Sequence, residues 1–270
     1  MGVHVVFSKV AEKTSERLSA IKSSIATPGL HSLTRPQITA PVPVRKILPA
    51  YDRKMFFKHL RTRFPRYQEH FQNAAEKYNL PWKLLASQAY QESHWNRRAK
   101  SPTGVRGIMM LTRRTAASLG IRNRLDPEKS IYGGARFLAR MQQRIPTSVP
   151  MPDRRFFALA AYNVGLGHME DARELAQRIK KNPDHWQDMT EVLPLLSQKK
   201  YYRTLRYGKA RGHEPVIYVR RIRAYQVLFD QVPSENSYVT KRNKNGNMKA
   251  SISQRFLRPH LNRLERNSGA

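Results

Sequence analysis

Along the middle of the chain, apolar residues recur at intervals of three and four, the period of an amphipathic helix. No stretch there sustains the apolar–polar alternation of a strand. The pattern predicts helices over 53–62 (RKMFFKHLRT), 66–79 (RYQEHFQNAAEKYN), the stretch KLLASQAYQESHW around Glu92, 112–120, 130–145, 154–165, 168–181 and 214–231. Turn-forming residues separate them at 79–81, Gly120, 146–152, 165–167 and Pro183. The expectation is one all-α domain over 51–232. Outside it the periodicity fades. Residues 1–50 hold five prolines between Pro28 and Pro49 and read as a linker or tail. Residues 233–270 are polar, basic and aperiodic and read as a disordered tail, with a short helix near FLRPHLNRLER as the one exception to consider.

One predicted helix breaks its own pattern. Leu85, Ala89, Glu92 and Trp95 fall at i, i+4, i+7 and i+10, one face of a helix whose flanks mark that face as inward. A glutamate there has two readings. It is either an edge residue reaching water, or a half-buried carboxylic acid with a raised pKa, poised as a general acid. The spacing leaves both open. Three other spots invite the same question. In SPTGVRGIMML (101–111), Gly104 and Gly107 are either turn residues or places where backbone approaches a ligand, with Met109 and Met110 in the core or along a groove. In ALAAYNVGLGH (158–168), Asn163 lies at the end of an apolar helix just ahead of two glycines and suits a helix C-cap, while its amide could hold a sugar and Tyr162 could stack on one. Tyr218 is either a core tyrosine or a phenol that orients the Glu92 carboxyl.

Composition narrows the classes. There are 270 residues and no cysteine, so disulfides and cysteine metal sites are excluded. Lys and Arg number 50 against 19 Asp and Glu, a formal charge of +31. The surplus is spread along the whole chain, which suggests a general attraction to polyanions: nucleic acid, anionic lipid or acidic wall polymer. No run approaches the roughly 18 apolar residues of a membrane span. The N-terminus has only the short apolar run 3–7, so no export signal is legible.

Taken together, Glu92-Ser93, Gly107-Ile108-Met109-Met110, Ala161-Tyr162-Asn163 and Tyr218 arrive in the order and spacing of the lytic murein transglycosylases, a family with a goose-type-lysozyme-like helical fold. The resemblance runs from about Phe56 to Phe229. The stretches AYQESHWN, SPTGVRGIMMLT, FALAAYNVG, LPLLSQKKYY and YGKARGHEP look most like its membrane-bound F subfamily. Members of that subfamily carry a periplasmic-binding-protein-like domain ahead of the catalytic one, where this chain has about 50 linker-like residues. Many transglycosylases place glutamine after Gly-Leu-Met. This chain has Met110, a mark of the F subfamily, and so lacks any hydrogen bond which that glutamine would give a sugar.

The acid inventory agrees. Ordinary glycosidases use two carboxylates about 5–9.5 Å apart. After Glu92 the next acidic residue is Asp126, and Glu76 precedes the helix, so no companion is evident. The resemblance implies a reaction needing one acid. Glu92 protonates the bond between N-acetylmuramic acid and N-acetylglucosamine in peptidoglycan, the acetamide assists, and the 6-hydroxyl closes a 1,6-anhydro ring. It further implies that Tyr218 contacts Glu92, that Asn163 and Tyr162 hold sugar, that backbone near Met109 meets the acetamide, and that Ser93 braces the loop. His94 has no second ligand at metal-binding spacing, and neither metal nor cofactor is expected. Peptidoglycan strands and anionic envelope surfaces are the expected partners, with no specific nucleic acid. The implied location is the periplasm or outer membrane. The rivals are a hydrolase on the same fold, which needs a second carboxylate, and a non-enzymatic binder of polyanions.

Overall fold

Helix α4, Trp82–Ser93, buries seven consecutive residues, Leu84 to Tyr90, and the other elements assemble around it. The computed structural model describes residues 43–232 and, beyond them, the backbone of two short strands. All described elements belong to one compact unit that begins at Val42. The linker-like segment up to residue 42 lies outside the described residues.

In chain order the helices are α1 (Val44–Ile47), α2 (Ala50–Thr62), α3 (Gln68–Lys77), α4, α5 (Arg113–Ser118), α6 (Pro127–Arg144), α7 (Asp153–Val164), α8 (Leu166–Arg178), α9 (Trp186–Val192), α10 (Lys199–Tyr202) and α11 (His213–Asp230). Two 3-10 turns, Phe64–Arg66 and Leu193–Ser197, complete the set. Several starts follow capping chemistry: the Thr112 and Asp126 side chains accept the N–H groups of Thr115 and Lys129, and Pro127 opens α6 where a missing N–H costs nothing. Each predicted helix is present within a few residues. The pattern misses α1, α10 and the 3-10 turns, which are too short for two turns of apolar repeat to register, and it also passes over the seven-residue α9. Leu48, inside the segment read as linker, is fully buried, so the core takes hold before residue 51.

The all-α expectation describes the core. Farther on, Tyr238–Arg242 and Met248–Ile252 pair antiparallel, with Tyr238 opposite Ile252 and Arg242 opposite Met248. These ten residues differ from the aperiodic reading of the tail: both segments are short, and side chains such as Tyr238, Val239, Thr240 and Ile252 suit a strand. The remainder of that tail, including the helix considered near residues 256–266, lies outside the described residues.

An aromatic knot joins α2, α4 and α11. Phe56 lies 4.9 Å from Tyr90, 5.4 Å from Tyr225 and 5.2 Å from Phe229, centroid to centroid. Trp95 lies 4.5 Å from Tyr90 and 4.9 Å from Phe64. Edge and tilted contacts of this kind add about 0.5–1.5 kcal/mol each beyond area burial. No described helix is long and apolar enough to cross a membrane.

Phe56 is wholly buried among these rings, whereas the neighbouring Tyr51 is 70% exposed. Phe56→Ala is expected to cost about 3–5 kcal/mol and Tyr51→Ala less than about 0.5 kcal/mol. Urea unfolding of the two variants checks this, and comparable losses would contradict a core centred on Phe56.

Candidate active site

Helix α4 stops one residue after Glu92, at Ser93, because His94 and Trp95 both adopt left-handed backbone, with φ of 52° and 54°. Trp95 therefore does not continue the helical face on which its spacing places it. It folds back, and its indole N–H donates to the Ala86 carbonyl at 2.9 Å. The reversal leaves Glu92 on the last turn, half-buried, beside Tyr218 of α11.

The Tyr218 hydroxyl donates to the Glu92 carboxyl at 2.5 Å, and Gln88, one turn earlier on α4, donates from Nε2 to the same hydroxyl at 3.2 Å. Burial pushes the Glu92 carboxyl up to about 7, and the Tyr218 hydrogen bond opposes that rise by favouring the anion. Burial, then the Glu92 charge, raises both the Tyr162 and the Tyr218 phenols, so all three groups share one pocket. Among the described residues, no second carboxylate contributes to the Glu92 shift.

The glycine-bearing loop forms the adjoining wall, and its polar groups are spent on holding it. Ser93 Oγ donates to the Ile108 carbonyl at 2.8 Å and Tyr162 to the Met109 carbonyl at 2.9 Å, while the Met109 N–H donates to Ser130 Oγ at 3.3 Å. Arg124 Nη1 donates to the carbonyls of Gly104 and Leu111, at 2.9 and 2.8 Å. Arg106 and Leu111 exchange backbone hydrogen bonds and close the loop. Gly107 has a φ of 89°, and a Cβ there would stand 1.9 Å from the Arg124 carbonyl, so glycine is obligatory.

Several sequence expectations change in this light. The close approach at Gly107 is to Arg124 and not to an open cleft. Met109 is fully buried, a Cβ on Gly134 would strike its side chain, and its own C=O and N–H are both engaged. It supports the loop from within the core. Met110 is half-buried with a φ of 46°, turning the chain. Tyr162 commits its hydroxyl to Met109 and sets its ring edge-on to Phe137 at 5.1 Å, leaving less of it to stack on a sugar. Asn163 is exposed near the end of α7 but does not cap it; the cap is Gly165, with φ 94°. His94 lines a cleft with His59, Tyr90 and Tyr225, its ring 6.0 Å from that of His59. Gln88, Ser130 and Arg124 went unrecognised in the sequence. Gln88 has a visible signal, since it lies four residues before Glu92 on a helix that is otherwise apolar at that level; Ser130 and Arg124 are joined to the site only by folding.

The half-buried carboxylic acid, the phenol that grips it and the rigid loop beside it stand on a helical domain whose residues 69–185 match the family model described as the Transglycosylase SLT domain. The chain contains a transglycosylase SLT domain. It is 57% identical over 180 residues to membrane-bound lytic murein transglycosylase F 2 of Alkalilimnicola ehrlichii, covering 67% of this chain and 40% of that one. It is 56% identical over 172 residues to membrane-bound lytic murein transglycosylase F of Marinobacter nauticus, covering 64% of this chain and 34% of that one. The chain thus spans about two fifths of the length of the first of these relatives. The 70 kDa soluble lytic transglycosylase of Escherichia coli aligns with a TM-score of 0.45 at 24% identity, over 60% of this chain and 24% of its own.

The raised pKa of Glu92 links its proton to stability. The folded chain, with a value of about 7, holds the proton more tightly than the unfolded chain at about 4.5. That contribution is complete below about pH 4.5 and is lost as pH rises through 7. Between those limits the wild type is expected to lose about 2 kcal/mol relative to Glu92→Gln, discounting the full shift for the solvent that the carboxyl still meets. Urea unfolding of both proteins across that range tests this; a difference independent of pH would mean that the carboxyl is not perturbed.

Proposed function

We propose that this domain cleaves the N-acetylmuramic acid–N-acetylglucosamine bond of peptidoglycan as a lytic transglycosylase, with Glu92 as its single acid and base. The observation that carries the reading is a carboxyl with a pKa of about 7, held by Tyr218 and standing without a carboxylate companion among the described residues. A group with that pKa can give a proton and recover one at neutral pH. A site with one acid suits a substrate that supplies its own nucleophile, whereas a hydrolytic route needs a second carboxylate.

In the proposed sequence Glu92, protonated, donates to the glycosidic oxygen as that bond breaks. The muramic acetamide oxygen covers the anomeric carbon. The Glu92 carboxylate then takes the proton of the muramic 6-hydroxyl as its oxygen attacks that carbon, releasing the acetamide and leaving a 1,6-anhydro ring. Tyr218 stabilises the carboxylate between these steps, and Gln88 holds the phenol in register. Ser93, Tyr162 and Arg124 support the step indirectly by fixing the loop. Asn163, exposed beside the pocket, has its amide available for a sugar hydroxyl or acetamide. No metal or cofactor enters this scheme. Its substrate would place the domain's work in the cell envelope, consistent with relatives whose names describe them as membrane-bound.

Digestion of purified peptidoglycan, followed by mass analysis of the products, tests the reading. Wild type is expected to release anhydromuropeptides, and Glu92→Gln to be slower by about 10²–10⁴-fold. Products with reducing ends would instead establish a hydrolase. Tyr218→Phe is expected to raise the Glu92 pKa further, since the lost hydrogen bond favours the anion. The alkaline limb of the rate–pH profile should then move to higher pH, and an unmoved limb would exclude Tyr218 as a tuning residue.

A further inference from the structure

Between Glu92 and Asp126 the chain carries seven arginines, one lysine and no acidic residue. Elsewhere the fold places cations beside carboxylates: Arg173 with Asp184, Arg178 with Glu174, Arg221 with Asp52. Among the described residues, none of these eight cations has a carboxylate within ion-pair distance. The even charge of the whole sequence conceals this local imbalance.

Three of the eight converge on the loop beside Glu92. Arg124 is fixed by its bonds to the Gly104 and Leu111 carbonyls. Arg106 is half-buried, its backbone is locked to Leu111, and its Nε is buried with no hydrogen-bond partner. Arg113 follows two residues after Leu111 and is exposed. Burial, and then the charges of Arg106 and Arg113, hold the Arg124 guanidinium below its usual pKa, which places the three within electrostatic reach of one another. Like charges assembled without a counter-ion repel, and an anion between them removes that repulsion. Guanidinium forks match the two oxygens of a carboxylate.

We propose that Arg106 and Arg113, backed by Arg124, form a subsite for a carboxylate carried on the peptide of the glycan strand. The proposal rests on reading the Glu92 pocket as a peptidoglycan site. Location favours a substrate-borne group over a membrane surface. The cluster is built into the loop that Ser93 and Tyr162 grip, beside the carboxyl that acts on the glycan in that reading.

The test uses Glu92→Gln protein, so that ligand is not consumed, and a disaccharide–peptide muropeptide with its peptide carboxylates either free or converted to carboxamides. Calorimetry at low salt is expected to show the acid bound roughly tenfold more tightly than the amide, the scale of one charge-assisted hydrogen-bond pair. Adding Arg113→Gln or Arg106→Gln should bring the ratio close to one, Arg113→Lys should keep part of it, and rising salt should shrink it. Arg113 is exposed, so its replacement leaves the core intact. Equal affinity for acid and amide, including no binding of either, overturns the proposal, as does a ratio that survives Arg113→Gln. Cleavage of the acid form by wild type is read separately. A preserved acid preference without cleavage would sustain the subsite and sink the catalytic reading.

Discussion

Burial of α4 on all sides for seven residues is the constraint from which the rest of this structure follows. A helix so enclosed cannot end gradually, because its last carbonyls need partners and its neighbours leave no room for a frayed turn. The chain instead reverses through two consecutive left-handed residues, His94 and Trp95. Each such non-glycine residue costs on the order of 1–2 kcal/mol. Trp95 offsets this by entering the aromatic knot and donating its indole N–H to Ala86, since a buried aromatic of this kind is worth about 3–5 kcal/mol when truncated. Glu92 rides on the last turn that this arrangement fixes. Its unusual proton affinity is thus maintained by packing that lies mostly behind it.

The loop in front of the acid obeys a complementary rule. An irregular segment with buried carbonyls must find donors for them, and here the donors come from α4, α7 and the segment before α6. Gly107 admits the Arg124 carbonyl where any side chain would collide, and Ser130 answers the Met109 N–H. The polar groups that hold the loop are therefore unavailable to a ligand. Among the described residues, the Arg106 and Arg113 guanidiniums of that loop have no carboxylate within ion-pair distance.

Much of this was legible beforehand, and for definite reasons. Long amphipathic helices announce themselves by period, so α2, α3, α4, α6, α7, α8 and α11 are visible, while the four-residue α1 and α10 are too short to show one. Glu92 stood out because a carboxylate on an apolar face is costly, and Tyr218 because a phenol suits such a partner. At Met109 and Gly107 the spacing alone does not distinguish contact with a ligand from contact with the protein. Asn163 looked like a cap because asparagine often precedes glycine, yet Gly165 takes the left-handed position with less strain. Gln88 shares the helix face of Glu92, but its role follows only from a partner 130 positions away.

The sequence by itself determined the helical class, the family motifs and the placing of a carboxylate on an apolar helix face, because these depend on residue type and on spacing along the chain. It also carried the charge imbalance between Glu92 and Asp126, hidden within an evenly basic chain. Tertiary structure decided the proton affinity of Glu92, the embrace of the loop by Ser93, Tyr162 and Arg124, and the convergence of three arginines without a counter-ion. Those properties arise from groups far apart in the chain, where burial and distance in space set the energies and local pattern has no access to either.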